Sequence, residues 1–592
     1  MTGQKRIESI IAADIGRAFT HVCLFDTVCG VSRLVARAET PTTLGEPEND
    51  LAIGLLRAIQ RLEQIVRRPL LDQGKEVIVP EQASGAGVDA LVATSSAAPP
   101  LECVIVGLTD DLSLESARRA CSTANVLVSQ TILVDARARC WNDQVVASLH
   151  QTPPDLILLV GAVDTGPVIP LESAARALAI IYGEVEALRR PVIVFAGNQE
   201  ARGRISEVMS PLFELRVVGN VRPSIHIETP GELQGELSDL YERIGLARLP
   251  GYRRLDQWCA SPILSTTSGL GNTLRFTARG KAPSNGVLAV DVGGATTFVG
   301  AARGQAYQWC IGANLGTSYE IGHIVDLSGL DGISRWLPPS MPAERALDHL
   351  ENARLRPHTI AQSLEDLLLL HAVVRQAVLL TMRRMKRRYW LPPNARADKD
   401  TPPTFDLIAA RGGAITHTSR DGIGALSLLD AVQPVGLTRL VVDWASLWPQ
   451  LGAVAAVAPL PAAQVLQRDA FRELGTVIAP LGQGRPGRGA LQLKITYDDG
   501  EVVEAEIPAG AIERFPLAPG EEATLEVRPS RHFDIGLGQR GLGGKARVRG
   551  GSLGIMVDTR GRPLVVPRDP QKWRVSLEQW LRKLNGDLSG SI

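Results

Sequence analysis

An α/β protein of two related halves, with an α/β region inserted in the first half and a mostly β domain at the C-terminus, is the fold class this sequence predicts. Three observations predict it. The stretch GVLAVDVGGATTFVG (286–300) repeats the plan of IIAADIGRAFTHVCLFD (10–26): an apolar strand ends in Asp-x-Gly and turns back into a second strand. Between residues 101 and 250, continuous apolar runs alternate with amphipathic helices, the signature of a parallel sheet covered on both faces. After residue 490 the pattern changes to period-two alternation across an Asp-Gly turn, in LQLKITYDDGEVVEAEIP.

The elements follow in order. Residues 1–98 read as strands followed by a helix in which Leu51, Leu55, Ile59 and Leu62 recur at helical spacing. CVIVGL, TILVDA, PDLILLVGAVDTG and PVIVFAGN supply the strands of the inserted block, with SLESARRACSTA and LESAARALAIIYGEVEALRR as helices between them. The second Asp-x-Gly strand opens a new segment near residue 285, followed by a long helix at about 360–390, a Pro-rich break at 391–403 and a strand running into the glycine turn Arg411-Gly412-Gly413. The linker GQGRPGRG (482–489) precedes the β region, which closes on the helix SLEQWLRKL. The expected division is therefore 1–283 for the first half, with the insertion at about 100–250, then 284–481 for the second half and 490–592 for the β domain. Three or four domains suit 592 residues.

Composition excludes several classes. Lys+Arg and Asp+Glu both total 63, so no overall field draws the protein to nucleic acid or a membrane. The basic run RRMKRRYW (383–390) reads as a solvated helix end near the C-terminal dipole. The longest apolar region, 440–466, contains Asp443 and three prolines and is no bilayer span; the N-terminus has no signal-peptide pattern, and a cytoplasmic location is expected. Seven cysteines form no CxxC pair and nine histidines no ligand pair, which leaves reduced thiols and structural or exposed imidazoles. The Gly-rich 533–554 lacks the strand-loop-helix context and the Lys-Ser/Thr ending of a phosphate loop, so turns and bulges are expected. Two uses are open to GAVDTG (161–166): lining a crevice at the end of a parallel strand, or capping the next helix through Asp164.

A strand ending in Asp-x-Gly suits phosphate chemistry. The Asp can hold Mg²⁺ or its waters, the glycines let backbone N–H groups approach phosphate oxygens, and Thr hydroxyls add donors. One copy alone is equally a plain hairpin turn. Two copies with Asp14 and Asp291 277 positions apart, followed by the glycine turn at 411–413, resemble the order of two phosphate loops and an adenosine loop in actin-like, sugar-kinase and heat-shock-chaperone ATPases. That resemblance implies a two-lobed actin-like ATPase fold with the nucleotide in the cleft between the halves.

A narrower resemblance covers nearly the first 480 residues. VVGNVRPSI (217–225), PGYRRLDQWCASPI (250–263), VDVGGATTFV (290–299), GANLGTS (312–318), ARGGAITHT (410–418) and LLDAVQPVG (428–436), with PDLILLVGAVDTG and PVIVFAGNQEARGRI before them, resemble the MutL/GlmL family associated with adenosylcobalamin-dependent glutamate mutase. The two resemblances together imply an ATP or ADP site with Mg, built from Asp14, Gly16, Thr20, Asp291, Gly293, Gly294, Thr296, Thr297, Gly412 and Gly413. Asp14 and Asp291 would be the metal ligands. No cobalamin would bind this chain directly; a cobalamin-dependent mutase subunit is the implied partner. No catalytic residue can be named.

The first loop departs from the family's Asp-Ile-Gly-Ser-Thr-x-Thr-Lys. Here it reads Asp14-Ile15-Gly16-Arg17-Ala18-Phe19-Thr20-His21, without two hydroxyls and a Lys. Three roles are open to Arg17: phosphate ligand, pocket filler or solvated surface cation. In the second loop Phe298 stands where the resemblance implies an acidic residue. Fewer donors and carboxylates weaken hydrolysis more than binding. Three functions remain in play: a nucleotide-binding accessory or chaperone-like protein with slow or no hydrolysis, a pseudo-ATPase scaffold, and, least supported, a small-molecule kinase.

Overall fold

The structure is a computed structural model, and it describes residues 7–134, 140–279, 285–356, 359–385, 404–567 and 569–586. The Pro-rich break and most of the basic run lie outside the described residues. The chain divides into two compact units, Met1–Ala97 with Pro250–Ile592, and Ala98–Leu249.

In the larger unit two sheets share one plan. The first orders its strands as Leu264–Ser265, Ala90–Ser95, Ile10–Ile15, Phe19–Val28 and Val31–Pro41. The second begins Ala306–Gly312, Thr297–Arg303, Val287–Val292, Leu407–Arg411 and Gly436–Val442. In each, the Asp-x-Gly strand pairs antiparallel with its hairpin partner on one side and parallel with a later strand on the other. The registers correspond. Asp14 sits opposite His21 and Thr94, and Asp291 sits opposite Phe298 and Arg411. These central strands are buried along nearly their whole length, as their unbroken apolar runs require.

Helix Thr266–Arg279 and helix Trp448–Val457 cross between the halves, and the crossing is built on glycine. A Cβ on Gly452 would stand 2.0 Å from the Gly269 carbonyl oxygen, so only two bare backbones can approach this closely. Phe298, Leu270, Leu274, Trp448 and Leu451 join the same apolar cluster, which contains residues of both halves.

The residues after 489 differ from a self-contained β domain. Gly489–Tyr497, Val502–Pro508, Glu522–Pro529 and Gly544–Arg549 form a four-stranded antiparallel sheet, and the first two pair as the expected hairpin. Ile555–Asp558 and Ile512–Phe515, however, extend the second half's sheet beyond Arg472–Ala479 to eight strands. Helix Pro570–Asn585 buries Trp573, Leu577 and Leu581 in that half's core. Residue 490 thus separates two patterns of sequence, not two compact units. The period-two signal could not reveal this, because alternation says which face of a strand is buried and not which sheet buries it.

The smaller unit is a five-stranded, wholly parallel sheet ordered Val126–Leu133, Leu101–Gly107, Leu156–Val160, Val192–Phe195, Leu215–Val217. Asp164, after the central strand, accepts from the Gln199 amide at 3.1 Å and from Asn220 Nδ2 at 2.9 Å. Its carboxylate ties neighbouring loops together. Among the described residues none of the seven cysteines is joined in a disulfide. No helix among the described residues is long and apolar enough to cross a membrane.

Candidate functional site

The two Asp-x-Gly strands end in the same turn. Gly16 N–H donates to the Phe19 carbonyl at 2.9 Å, and Gly293 N–H to the Thr296 carbonyl at 2.8 Å. This superposes Arg17 on Gly294 and Ala18 on Ala295 in the plan of the two halves. Among the described residues, the amides of Arg17, Ala18, Gly294 and Ala295 donate to no protein acceptor. All four residues line one cavity of about 520 Å³, within the range of small-molecule sites.

Eight of the ten residues singled out from sequence line that cavity: Asp14, Gly16, Asp291, Gly293, Gly294, Thr296, Gly412 and Gly413. Thr20 and Thr297 do not. Both are fully buried; Thr20 shares its hydroxyl with Thr42 at 2.9 Å, and Thr297 donates to the Leu315 carbonyl at 2.6 Å. Along each return strand they stand one position from His21 and Phe298, so they project to the opposite face of the sheet. Thr297 holds backbone directly and Thr20 holds it through Thr42, whose hydroxyl donates to the Gly16 carbonyl at 2.8 Å, so the expectation that they donate to a ligand is corrected. Phe298 also stays out of the cavity, as a buried core side chain.

Gly412 and Gly413 have different reasons to be glycine. Gly412 has φ +107°, and a Cβ there would lie 2.1 Å from the Val292 carbonyl oxygen, so the turn and the strand it touches exclude any other residue. A Cβ on Gly413 would meet nothing within 4 Å. It opens onto the cavity.

Arg17 is neither a free surface cation nor a plug. It reaches Glu320 at 3.3 Å and stacks over the Tyr319 ring at 4.8 Å from its centroid, bridging the two halves at the cavity wall. Its side chain is 33% exposed, which makes the bridge a weak one.

The residue that sequence reasoning passed over is Arg411. In the sequence it is only the first residue of a glycine turn. Its guanidinium donates through one terminal nitrogen to Asp14 Oδ2 and through the other to Asp291 Oδ2 at 2.9 Å, with Nε 3.7 Å from Asp443. Asp14 Oδ1 accepts the hydroxyls of Thr94 and Thr266, each at 2.8 Å. Asp443 accepts the Leu447 and Trp448 amides at 2.7 and 2.9 Å. Burial raises the Asp291 carboxyl above the ordinary range against the pull of Arg411, and pushes Asp443 up to about 6. The signal that could have found Arg411 is register: it is to Asp291 what Thr94 is to Asp14.

A Mg²⁺ ion coordinated directly by Asp14 and Asp291 does not fit this donor set. Mg²⁺ needs about six oxygens in a near-octahedral shell at roughly 2.0–2.1 Å, and the guanidinium stands between the two carboxylates that would have to supply them. The assignment of these aspartates as metal ligands is corrected on that ground. Among the described residues no other group of three or more His, Cys, Asp or Glu side chains is arranged to hold a metal.

Two duplicated sheets, each sending an Asp-x-Gly hairpin to one shared cavity with a glycine turn as its third wall, define a two-lobed protein of the actin-like ATPase fold. Within that class the family is specific: the chain belongs to the MutL protein family, whose profile matches residues 10–470. Protein MutL from Clostridium tetanomorphum is 24% identical over 297 residues, which cover 50% of this chain and 57% of that relative. The matched segment thus spans little more than half of the relative's length. Among solved structures, nucleotide-free acetone carboxylase aligns with a TM-score of 0.33 at 12% identity, over 86% of this chain and 81% of its own. Gluconate kinase from Lactobacillus acidophilus aligns with a TM-score of 0.30 at 11% identity, over 79% and 92%.

Proposed function

We propose that this protein binds ATP or ADP in the cavity between its halves and acts as an accessory, chaperone-like factor for a cobalamin-dependent mutase, with slow or no hydrolysis of its own. One observation carries the nucleotide part. Two hairpin tips of the same geometry present unpaired amides to one cavity, an arrangement that suits an anion of several phosphates. The Arg411 bridge supports slow turnover. Both aspartates that would organise an attacking water are paired to one guanidinium, Asp14 with both of its oxygens engaged and Asp291 through one, which favours slow turnover. The mutase partner rests on the family, and glutamate mutase is the candidate. We assign the partner surfaces to the unit Ala98–Leu249 and to the four-stranded sheet after residue 489. The protein would work in the cytoplasm and bind no cobalamin itself.

A ligand that binds only the folded chain stabilises it by RT ln(1 + [L]/Kd). ADP or ATP at millimolar concentration should therefore raise Tm, and the purified protein should hydrolyse ATP slowly or not at all. A native-lysate pull-down should recover a mutase subunit. No shift with either nucleotide leaves the pseudo-ATPase scaffold as the reading, which the cross-lobe Arg411 bridge also favours. Rapid hydrolysis by the isolated chain would overturn the account of turnover.

A further inference from the structure

We propose that Arg411 stands in for the divalent cation, so that the cavity takes a nucleoside di- or triphosphate in its metal-free form. This rests on the nucleotide reading above and goes beyond it to the ionic form of the ligand.

The guanidinium occupies the position a bridging ion would need, between Asp14 of one half and Asp291 of the other, and it is buried with them. An arginine fork suits the task, because its planar array of five N–H donors can serve two carboxylates and still hold a hydrogen on each terminal nitrogen for a phosphate oxygen. Both oxygens of Asp14 are already engaged, one by the Thr94 and Thr266 hydroxyls and the other by Arg411. A Mg²⁺ ion would have to displace a buried, doubly paired guanidinium, or settle beside it against its charge.

The halves themselves supply a control. At the position beside Asp14 stands Thr94, a small neutral donor; at the equivalent position beside Asp291 stands Arg411, a fixed cation long enough to reach both aspartates. The cation therefore belongs to one half only and spans the cleft. The other charges of the lining agree. Asp14, Asp291 and Asp366 are matched in number by Arg17, Arg356 and Arg411, so the formal charges of the lining balance without a metal.

The test is calorimetric titration of the purified full-length chain with ADP and with ATP, in EDTA and in excess Mg²⁺. Wild type should bind with affinities that agree within about threefold between the two buffers, and Arg411→Ala should bind at least about tenfold more weakly in EDTA and recover with Mg²⁺. Wild-type binding that is tenfold or more tighter with Mg²⁺ overturns the inference and leaves the nucleotide reading standing. Binding in neither buffer overturns the nucleotide reading, and the inference with it. Arg411→Lys, which retains the charge without the fork, replaces Arg411→Ala if the latter does not fold. The wild-type comparison decides the matter without either variant.

Discussion

Two buried arginine clusters in the larger unit do opposite work. In the first, three guanidinium groups meet two carboxylates: Arg375 and Arg560 hold Asp430 at 2.7 and 2.6 Å, and Arg560 and Arg562 hold Asp558 at 2.6–2.9 Å. All five side chains are at most 1% exposed, and none lines the cavity. The surplus cation is met by aromatic faces, Arg375 over Trp336 and Arg560 over Trp580. This cluster fastens the chain's last strand to helices Leu364–Arg384 and Asp421–Val432. In the second cluster one guanidinium meets three carboxylates, and three of the four groups face open volume. Burial and ion pairing are common to both. What separates structure from site is whether unspent charge and donors face a cavity or a ring.

The sealed cluster should yield the largest effect when broken. Asp558→Ala strands Arg560 and Arg562 in the core and should cost about 3–5 kcal/mol of stability by chemical denaturation. Burial alone would raise the Asp558 carboxyl, but the two guanidinium groups hold it well below the usual carboxylate range. Its contribution is therefore present above the unfolded value of about 4 and lost as pH falls below it.

The open cluster should respond to pH with the opposite sign. Asp443, raised to about 6 by burial, binds its proton more tightly in the folded state than in the unfolded one. Its stabilisation is complete below about pH 4 and is lost as pH rises through 6, a change of about 2–3 kcal/mol. The stability of wild type relative to Asp443→Asn, followed from pH 4 to 7, should fall by that order. A constant difference would place the charge elsewhere.

Ligand binding separates the clusters further. Gly413→Val puts a side chain into open cavity and should weaken nucleotide binding by at least about tenfold, at a stability cost below about 1 kcal/mol. The smallest effect on binding should be at Thr297. Thr297→Val leaves the buried Leu315 carbonyl without its donor and should cost about 1–2 kcal/mol, with nucleotide affinity unchanged within about twofold. A tenfold loss of affinity there would return the hydroxyl to the site.

The duplicated hairpins were legible because each is a local pattern: an apolar strand, Asp-x-Gly and a return strand within about 15 residues. The strands and helices of the Ala98–Leu249 unit were legible for the same reason. Thr20 and Thr297 were misassigned because their residue type suits a phosphate while their parity on the strand sends them to the other face. Arg411 was missed because its partners lie 120 and 397 positions away, and no spacing rule links them. The glycine crossing of Gly269 with Gly452 was hidden likewise, each glycine looking ordinary in its own helix.

The sequence by itself determined where the apolar strands run, which turns need glycine, and that two Asp-x-Gly hairpins recur at equivalent places, since all of these follow from periodicity and backbone sterics over a few residues. Only the tertiary structure decided that Ile512–Phe515 and Ile555–Asp558 complete the second half's sheet, and that three arginines and two aspartates pair with one another behind it. It also decided that a single guanidinium sits between Asp14 and Asp291, and that the cluster behind the sheet keeps one cation in surplus. Charge and donors are satisfied by whatever the fold brings within about 3 Å, and sequence separation sets no limit on which residues those are.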